Sequence, residues 1–423
     1  MIPTSWRTER LGSLSQVKGG RRLPKGEKLV TGPTPFPYIR VRDFKGFSVN
    51  PSDIQYLTQD IQKDISRYII RKEDIFISIA GTIGRVGIIP AELDGANLTE
   101  NAARIVLGDD GILERDFLKY CLASPQIQSD IASRRSKNAQ PKLALAQIRN
   151  LEIPLPPLPE QKKIAHILST VQRAIEAQER IIGTTTELKK ALMQKLFTEG
   201  MRGERQKETE IGAVPESWEV VPLSDVCKFQ SGGTPSKQKP EYWEGTIPWV
   251  SPKDMKRPRL DDVVDHISQE GLESGSKLAP AGSVFVVVRG MILAKDVPVA
   301  LAEVPMAINQ DMRAIIPGPR LLSDFLLYAL SAFKRSLFIK VGRSAHGTMT
   351  LMSSEISDFK IPLSDLNAQR EIAATIQNLE TKQKAHERKH VQLKDLFRTL
   401  LHELMTAKTR VDDVEFQYLK ATV

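Results

Sequence analysis

The first half of this chain comes back as the second. The stretch Ile148-Arg149-Asn150-Leu151-Glu152-Ile153-Pro154-Leu155, running on through Glu160-Gln161 to Ile164-Ala165, returns as Ile356-Ser357-Asp358-Phe359-Lys360-Ile361-Pro362-Leu363, running on through Ala368-Gln369 to Ile372-Ala373. From Ile148 to Ile356 is a step of 208 residues, and Ile, Ile-Pro-Leu, Leu, Gln and Ile-Ala all keep it. A period of about half the chain is too long for a solenoid, whose units run to roughly 50 residues. It specifies two whole domains, each followed by the same kind of segment. Other blocks match with small shifts: Pro3-Thr4-Ser5-Trp6 with Pro215-Glu216-Ser217-Trp218, Gly19-Gly20 with Gly232-Gly233, Pro37-Tyr38-Ile39 and Asp43 with Pro248-Trp249-Val250 and Asp254, and Asp116 to Tyr120 with Asp324 to Tyr328. Between the blocks nearly every residue differs. A shared frame with unlike loops puts binding in the loops, and a module carried twice has one thing to touch twice.

Local patterns make each half α+β. Asp74-Ile75-Phe76-Ile77-Ser78-Ile79-Ala80 is β-rich, and Gly81-Thr82-Ile83-Gly84 turns it into Val86-Gly87-Ile88-Ile89, a hairpin signal. Its counterpart is Ser283 to Val288 followed by Arg289-Gly290. Asp116 to Ile127 and Asp324 to Phe338 read as amphipathic helices. Pro154, Pro156, Pro157 and Pro159 end the first globule, and Glu160-Gln161 open a long helix with apolar residues at Ile164, Ile167, Leu168, Val171, Ile175, Ile182, Leu188, Leu192 and Leu196. Gly183-Thr184-Thr185-Thr186 is its weak spot. At 1.5 Å per residue it spans about 57 Å. A second such helix begins near Gln369 and runs through Ile372, Ile376, Leu379, Val391, Leu396, Leu400 and Leu404. Narrow stripes on long helices are coiled-coil seams, and the returning chain brings the second stripe antiparallel to the first. The expected architecture is two similar globular domains separated by two long helices in an antiparallel coiled coil, with pseudo-two-fold symmetry. The expected divisions are a first domain over 1–158, a helix over 159–200, a polar linker over 201–213, a second domain over 214–366, a helix over 367–406 and a tail over 407–423.

The net charge of +9 and pI of about 9.3 favour an anionic partner, nucleic acid above all. The charge gathers in turn-rich stretches, where phosphate contacts are made. Met1-Ile2-Pro3-Thr4-Ser5-Trp6-Arg7 has no apolar signal core, and the most apolar run, Val284 to Val288, stops at Arg289. Cys121 and Cys227 lie at non-equivalent positions of the two halves, as expected for buried structural thiols in a reducing cytoplasm.

Leu155-Pro156-Pro157-Leu158-Pro159-Glu160-Gln161 with Ile164-Ala165, the segment Leu188-Lys189-Lys190-Ala191-Leu192-Met193-Gln194-Lys195-Leu196-Phe197, the Pro-x-Ser-Trp starts and Asn309-Gln310-Asp311 make the chain similar to the specificity (S) subunits of type I restriction-modification systems. The second junction, Leu363-Ser364-Asp365-Leu366-Asn367-Ala368-Gln369, departs from the pattern, and Thr99-Glu100-Asn101 stands in the first half where the second has Asn309-Gln310-Asp311. The resemblance implies two target-recognition domains, each reading one half of a bipartite double-stranded DNA sequence, with the helices setting the gap. It implies two methyltransferase (M) subunits docked along the helices, and two motor-nuclease restriction (R) subunits that can add to them. The specificity subunit of this family does no chemistry. S-adenosylmethionine and ATP with Mg belong to the partners, and the chain itself is expected to need no cofactor and to touch no membrane.

The candidate DNA contacts are Gly19, Gly20, Arg21 and Arg22; Arg135, Lys137, Asn138 and Gln140; Lys253, Lys256 and Arg257; and Arg343, Ser344 and His346. The glycines admit close approach to phosphate, and Arg, Asn and Gln can make bidentate contacts to base edges. The competing function is that of a zinc-dependent hydrolase or nuclease built on His386-Glu387-Arg388-Lys389-His390, which matches HExxH. That motif falls where a solvated helix face is expected, and no Gly-x-x-His follows it to supply a third ligand. Gly81 to Gly87 lies between two strands and so reads as a tight hairpin rather than a cofactor loop. The chain has neither GxxxxGK[ST] nor the Asn/Asp-Pro-Pro-aromatic motif of an adenine methyltransferase.

Overall fold

The computed structural model describes residues 6–108, 111–135, 141–344 and 347–411. They divide into two compact units, Met1–Glu179 with Arg388–Val423, and Arg180–Glu387. Each unit holds one globule and a stretch of both long helices. The division falls inside the helices, not at the globule junctions.

In the first unit an antiparallel sheet runs in the order Ser15–Gly19, Ala102–Leu107, Ile75–Ser78, Val86–Ile88. A smaller sheet sets Pro37–Ile39 between Gln55–Tyr56 and Asn97–Leu98. The run Ile75-Phe76-Ile77 is apolar at every position because the sheet is covered on both faces. Ile75 and Ile77 join a core with Ala103, Ile105, Phe117 and Leu118, while Phe76 turns the other way to stack on Phe44 with ring centroids 3.9 Å apart. The second unit repeats the plan, ordering Cys227–Ser231, Met312–Pro317, Val284–Val287, Val299–Ala302 and Arg259–Leu260. Its second sheet orders His266–Ile267, Ile247–Val250, Met306–Ile308 and Leu278–Ala279. The hairpin expected across Gly81–Gly84 is present, with both glycines at positive φ.

The repeated junction has a physical reason. Arg7–Arg10 pairs with Glu152–Leu155, and Glu219–Pro222 pairs with Lys360–Leu363, so Pro154 and Pro362 sit at the same place in two-stranded ribbons, where an edge tolerates proline. The shared glutamine then locks strand to helix. Gln161 is fully buried; its Oε1 accepts from Glu114 N (2.8 Å) and its Nε2 donates to Ile112 O (3.0 Å) and Pro156 O (2.9 Å). Gln369 repeats this with Leu322 N (2.8 Å), Arg320 O (2.9 Å) and Ser364 O (2.8 Å). An amide is the side chain that can satisfy one N–H and two carbonyls at once. Glu160 accepts from the Trp6 indole (3.2 Å); the second copy has Ala368 there, and Trp218 packs against Phe197 and Phe325.

The helices run over Leu158–Glu199 and Leu366–Met405. The first is unbroken through its weak spot, where the Thr186 hydroxyl donates back to Ile182 O (2.8 Å). In the second unit Gln383 Nε2 donates to Thr186 Oγ1 (3.2 Å) and Lys189 Nζ lies 3.5 Å from Glu380 Oε1. One number rises by three as the other falls by three, which makes the pair antiparallel. In the first unit Glu179 faces His390 at 3.2 Å.

Four local expectations are corrected. The apolar stripes are not a free-standing seam: Ile164, Ile167, Leu168, Val171 and Ile175 enter the first globule's own core together with Leu393, Phe397, Leu401 and Leu404, while Leu188, Val391 and Leu396 are 53%, 57% and 42% exposed. Asp116 to Ile127 is two helices, Arg115–Ala123 and Pro125–Arg134, because Ser124 caps a new one ahead of Pro125. Asp324 to Phe338 likewise splits into Ser323–Ala332 and Lys334–Ile339. In the polar linker, Gln206–Thr209 and Gly212–Pro215 form a hairpin.

Candidate nucleic-acid interface

The first candidate cluster is built by a chain crossing. Gly20 N donates to Ala102 O (2.9 Å) and Arg21 N to Leu98 O (2.8 Å). A Cβ on Gly20 would stand 2.0 Å from Thr99 O, so no other residue fits. In the second unit Gly232 makes this crossing, with its Cβ position 2.0 Å from Ile308 O. The structural register therefore matches Gly20 with Gly232, not Gly19 with Gly232. The two glycines on each side are alike, so sequence could not tell them apart. The crossing holds Arg21 and Arg22 at the surface: Arg21 lies over the Tyr68 ring at 5.6 Å, and Arg22 Nε donates to Glu100 Oε1 at 2.9 Å. Burial alone would push the Glu100 carboxyl up, but bonds from Arg22, its own amide and Thr99 hold it below its ordinary value. The same bond pushes the Arg22 guanidinium up.

The other candidates belong to other segments of the first unit or to the second unit, or lie outside the described residues. Arg135 is exposed just past the helix Pro125–Arg134; Lys137, Asn138 and Gln140 lie outside the described residues. Lys253 lies within, and Lys256 and Arg257 follow, a turn that Asp254 closes by accepting from Ser251 N (3.0 Å), as Asp43 accepts from Arg40 N (2.7 Å) in the first unit. This explains the repeated aspartate. The three cations border an open cleft of about 440 Å³ with Asp262, Val263 and Val264. Two of them are paired, Lys253 with Asp265 (2.6 Å) and Arg257 with Asp261 (2.7 Å), which leaves Lys256 as the less compensated charge. Arg343 is exposed on a hairpin formed by Gly342–Arg343 and Met349–Thr350, Ser344 N donates to Thr348 O (2.8 Å) beside it, and His346 lies outside the described residues.

His386 and His390 lie on the second long helix, and His390 is spent on Glu179. Among the described residues no three His, Cys, Asp or Glu side chains are grouped to hold a metal ion. Burial pushes both the Cys121 and Cys227 thiols up to about 12. Among the described residues no helix is long and apolar enough to cross a membrane.

A family model described as the type I restriction modification DNA specificity domain matches residues 3–183 and again residues 215–395. The chain belongs to that family. Each copy of the specificity domain covers one globule and more than half of the helix that follows it. The Escherichia coli type I restriction enzyme EcoR124I/EcoR124II specificity subunit is 38% identical over 161 residues, spanning 38% of this chain and 40% of that one. The chain thus covers less than half of that relative's length. The putative type I restriction enzyme MjaX specificity subunit of Methanocaldococcus jannaschii is 26% identical over 424 residues, covering 97% of this chain and 95% of that one. A crystal structure of the type I restriction-modification S subunit from M. genitalium shares the fold, with a TM-score of 0.60 and 18% identity over 95% of this chain and 96% of that one.

Within the specificity-domain frame, the sequence offers the arginines as candidates but not what holds them. Glu100, 78 residues from Arg22, and Tyr68 had no role assigned. The available signal was the repeat itself: Thr99-Glu100-Asn101 and Asn309-Gln310-Asp311 both sit under a glycine crossing. Their second-unit contact is Thr234 Oγ1 to Gln310 Oε1, at the positions equivalent to Arg22 and Glu100.

Proposed function

We propose that this chain is the DNA-reading subunit of a type I restriction-modification assembly. Each globule reads one half of a bipartite double-stranded target in the cytoplasm. The paired helices set the gap and dock two methyltransferase subunits, to which two restriction subunits can add. S-adenosylmethionine and ATP with Mg act in those partners, and this chain does no chemistry itself. The observation that carries the proposal is a specificity-domain frame present twice in one chain, with unlike residues at matching surface positions: Arg22 with Glu100 in one copy, Thr234 with Gln310 in the other. One frame with two sets of contacts suits a target with two different halves. The basic balance supplies the sequence-independent part of binding through phosphate contacts and counterion release. Methyl transfer from labelled S-adenosylmethionine to DNA from a strain that lacks this system tests this. The assembly with methyltransferase subunits is expected to transfer, and this chain alone is not. Transfer or cleavage by the purified chain alone would overturn the non-catalytic assignment.

A further inference from the structure

The repeat allows one surface position to be compared with itself. In the first unit Glu100 is gripped on both oxygens: Arg22 Nε donates to Oε1 (2.9 Å) and Thr99 Oγ1 donates to Oε2 (3.0 Å). The backbone leading to Arg22 is fixed by the Gly20 crossing. The guanidinium therefore has a set orientation although its side chain is 80% exposed. Among the described residues Nη1 and Nη2 have no partner.

What such a group is suited to read follows from charge and geometry. A phosphate contact gains from positive charge, and the Glu100 carboxylate offsets that charge. A base contact gains from orientation, which the carboxylate supplies. A guanidinium held through Nε presents its two Nη groups as a planar fork, and that fork matches O6 and N7 of guanine in the major groove. In the second unit the contact survives between Thr234 and Gln310, but the fork is gone. We propose that Arg22 is a specificity-determining residue that reads a guanine in the first unit's half-site through Nη1 and Nη2, with Glu100 as its positioning residue. This rests on the function proposed above.

The test uses the complete assembly and duplexes carrying its own methylated motif, with each base pair replaced in turn. Arg22→Ala and Arg22→Lys are expected to weaken binding of the unaltered duplex by roughly 5- to 140-fold. They should abolish discrimination at one G·C pair of one half-site and leave the other pairs of that half-site, and the whole of the other half-site, as selective as before, which also shows that the variants fold. Glu100→Gln should weaken discrimination at the same pair while raising binding to unrelated DNA, because a negative charge is lost; a merely structural glutamate would not couple the two. If the Arg22 variants lose affinity equally on every duplex, with a salt dependence shallower by about one phosphate, Arg22 is a phosphate contact and the proposal fails. If they bind as the parent does, the pair is a surface salt bridge and the proposal fails. If the parent assembly methylates no bipartite motif, the proposed function fails first and takes this assignment with it.

Discussion

Replacing Gln161 by methionine keeps the length of a fully buried side chain but removes three hydrogen bonds, to Glu114 N, Ile112 O and Pro156 O. A buried polar group that loses its partner costs about 1–3 kcal/mol. Two of the three sites are only part-buried, so water recovers some of that, and the loss is about 1–2 kcal/mol per group, or about 3–6 kcal/mol together. Burying a thioether in place of an amide returns about 1–2 kcal/mol. The net expectation is a destabilisation of about 2–4 kcal/mol, at the upper end of what single substitutions do. Because the chain has two compact units, a single unfolding midpoint is the wrong readout. Native-state hydrogen exchange resolves the units. Amides of Leu118 to Leu122 should exchange roughly 30- to 700-fold faster in Gln161→Met, and those of Phe285 to Val287 should do so in Gln369→Met. A loss under about 1 kcal/mol, or equal losses in both places from either variant, would refute the idea that each glutamine locks its own domain to its own helix.

Three further outcomes follow from the same structure. Gly20→Ala puts a Cβ 2.0 Å from Thr99 O and should abolish the first unit's fold, while Gly19→Ala, whose nearest neighbour is the end of Leu145 at 3.6 Å, should be mild; comparable hydrogen exchange of the first unit's amides in the two variants would contradict the crossing. With their thiols pushed up to about 12, Cys121 and Cys227 carry little thiolate at pH 8, so both should resist iodoacetamide in the folded protein and react on denaturation; rapid native labelling counted by mass spectrometry would contradict the full burial of Cys121 and the half-burial of Cys227. Inserting about four helical residues near Thr198 lengthens that helix by roughly 6 Å, close to two base pairs at 3.4 Å each. Methylation sequencing should then show both half-sites unchanged and the spacer widened by one or two base pairs; an active enzyme with its spacer unaltered would remove the helices as a ruler.

The repeat made much of the fold legible, because identical residues recur only where the frame needs them: Gln161 and Gln369, Pro154 and Pro362, Asp43 and Asp254 each meet the same backbone groups in both copies. Legibility failed where period or identity was ambiguous. Leu396 keeps a helical period but faces out, while its neighbour Phe397 takes the inward place beside Phe47 and Tyr120. Adjacent glycines hid which of them the crossing requires. At the candidate interface the cations were visible in the sequence, but their orientation was not, since Glu100 meets Arg22 only through the fold.

In the proposed function each copy of the frame reads its own half of one target. The direct measurement is methylation sequencing of a host carrying this chain with its methyltransferase partner, repeated after residues 1–158 are exchanged for the first domain of another family member. The expected result is a bipartite motif in which one half changes and the other half and the gap stay as they were. A change in both halves, or a single uninterrupted motif, would contradict it.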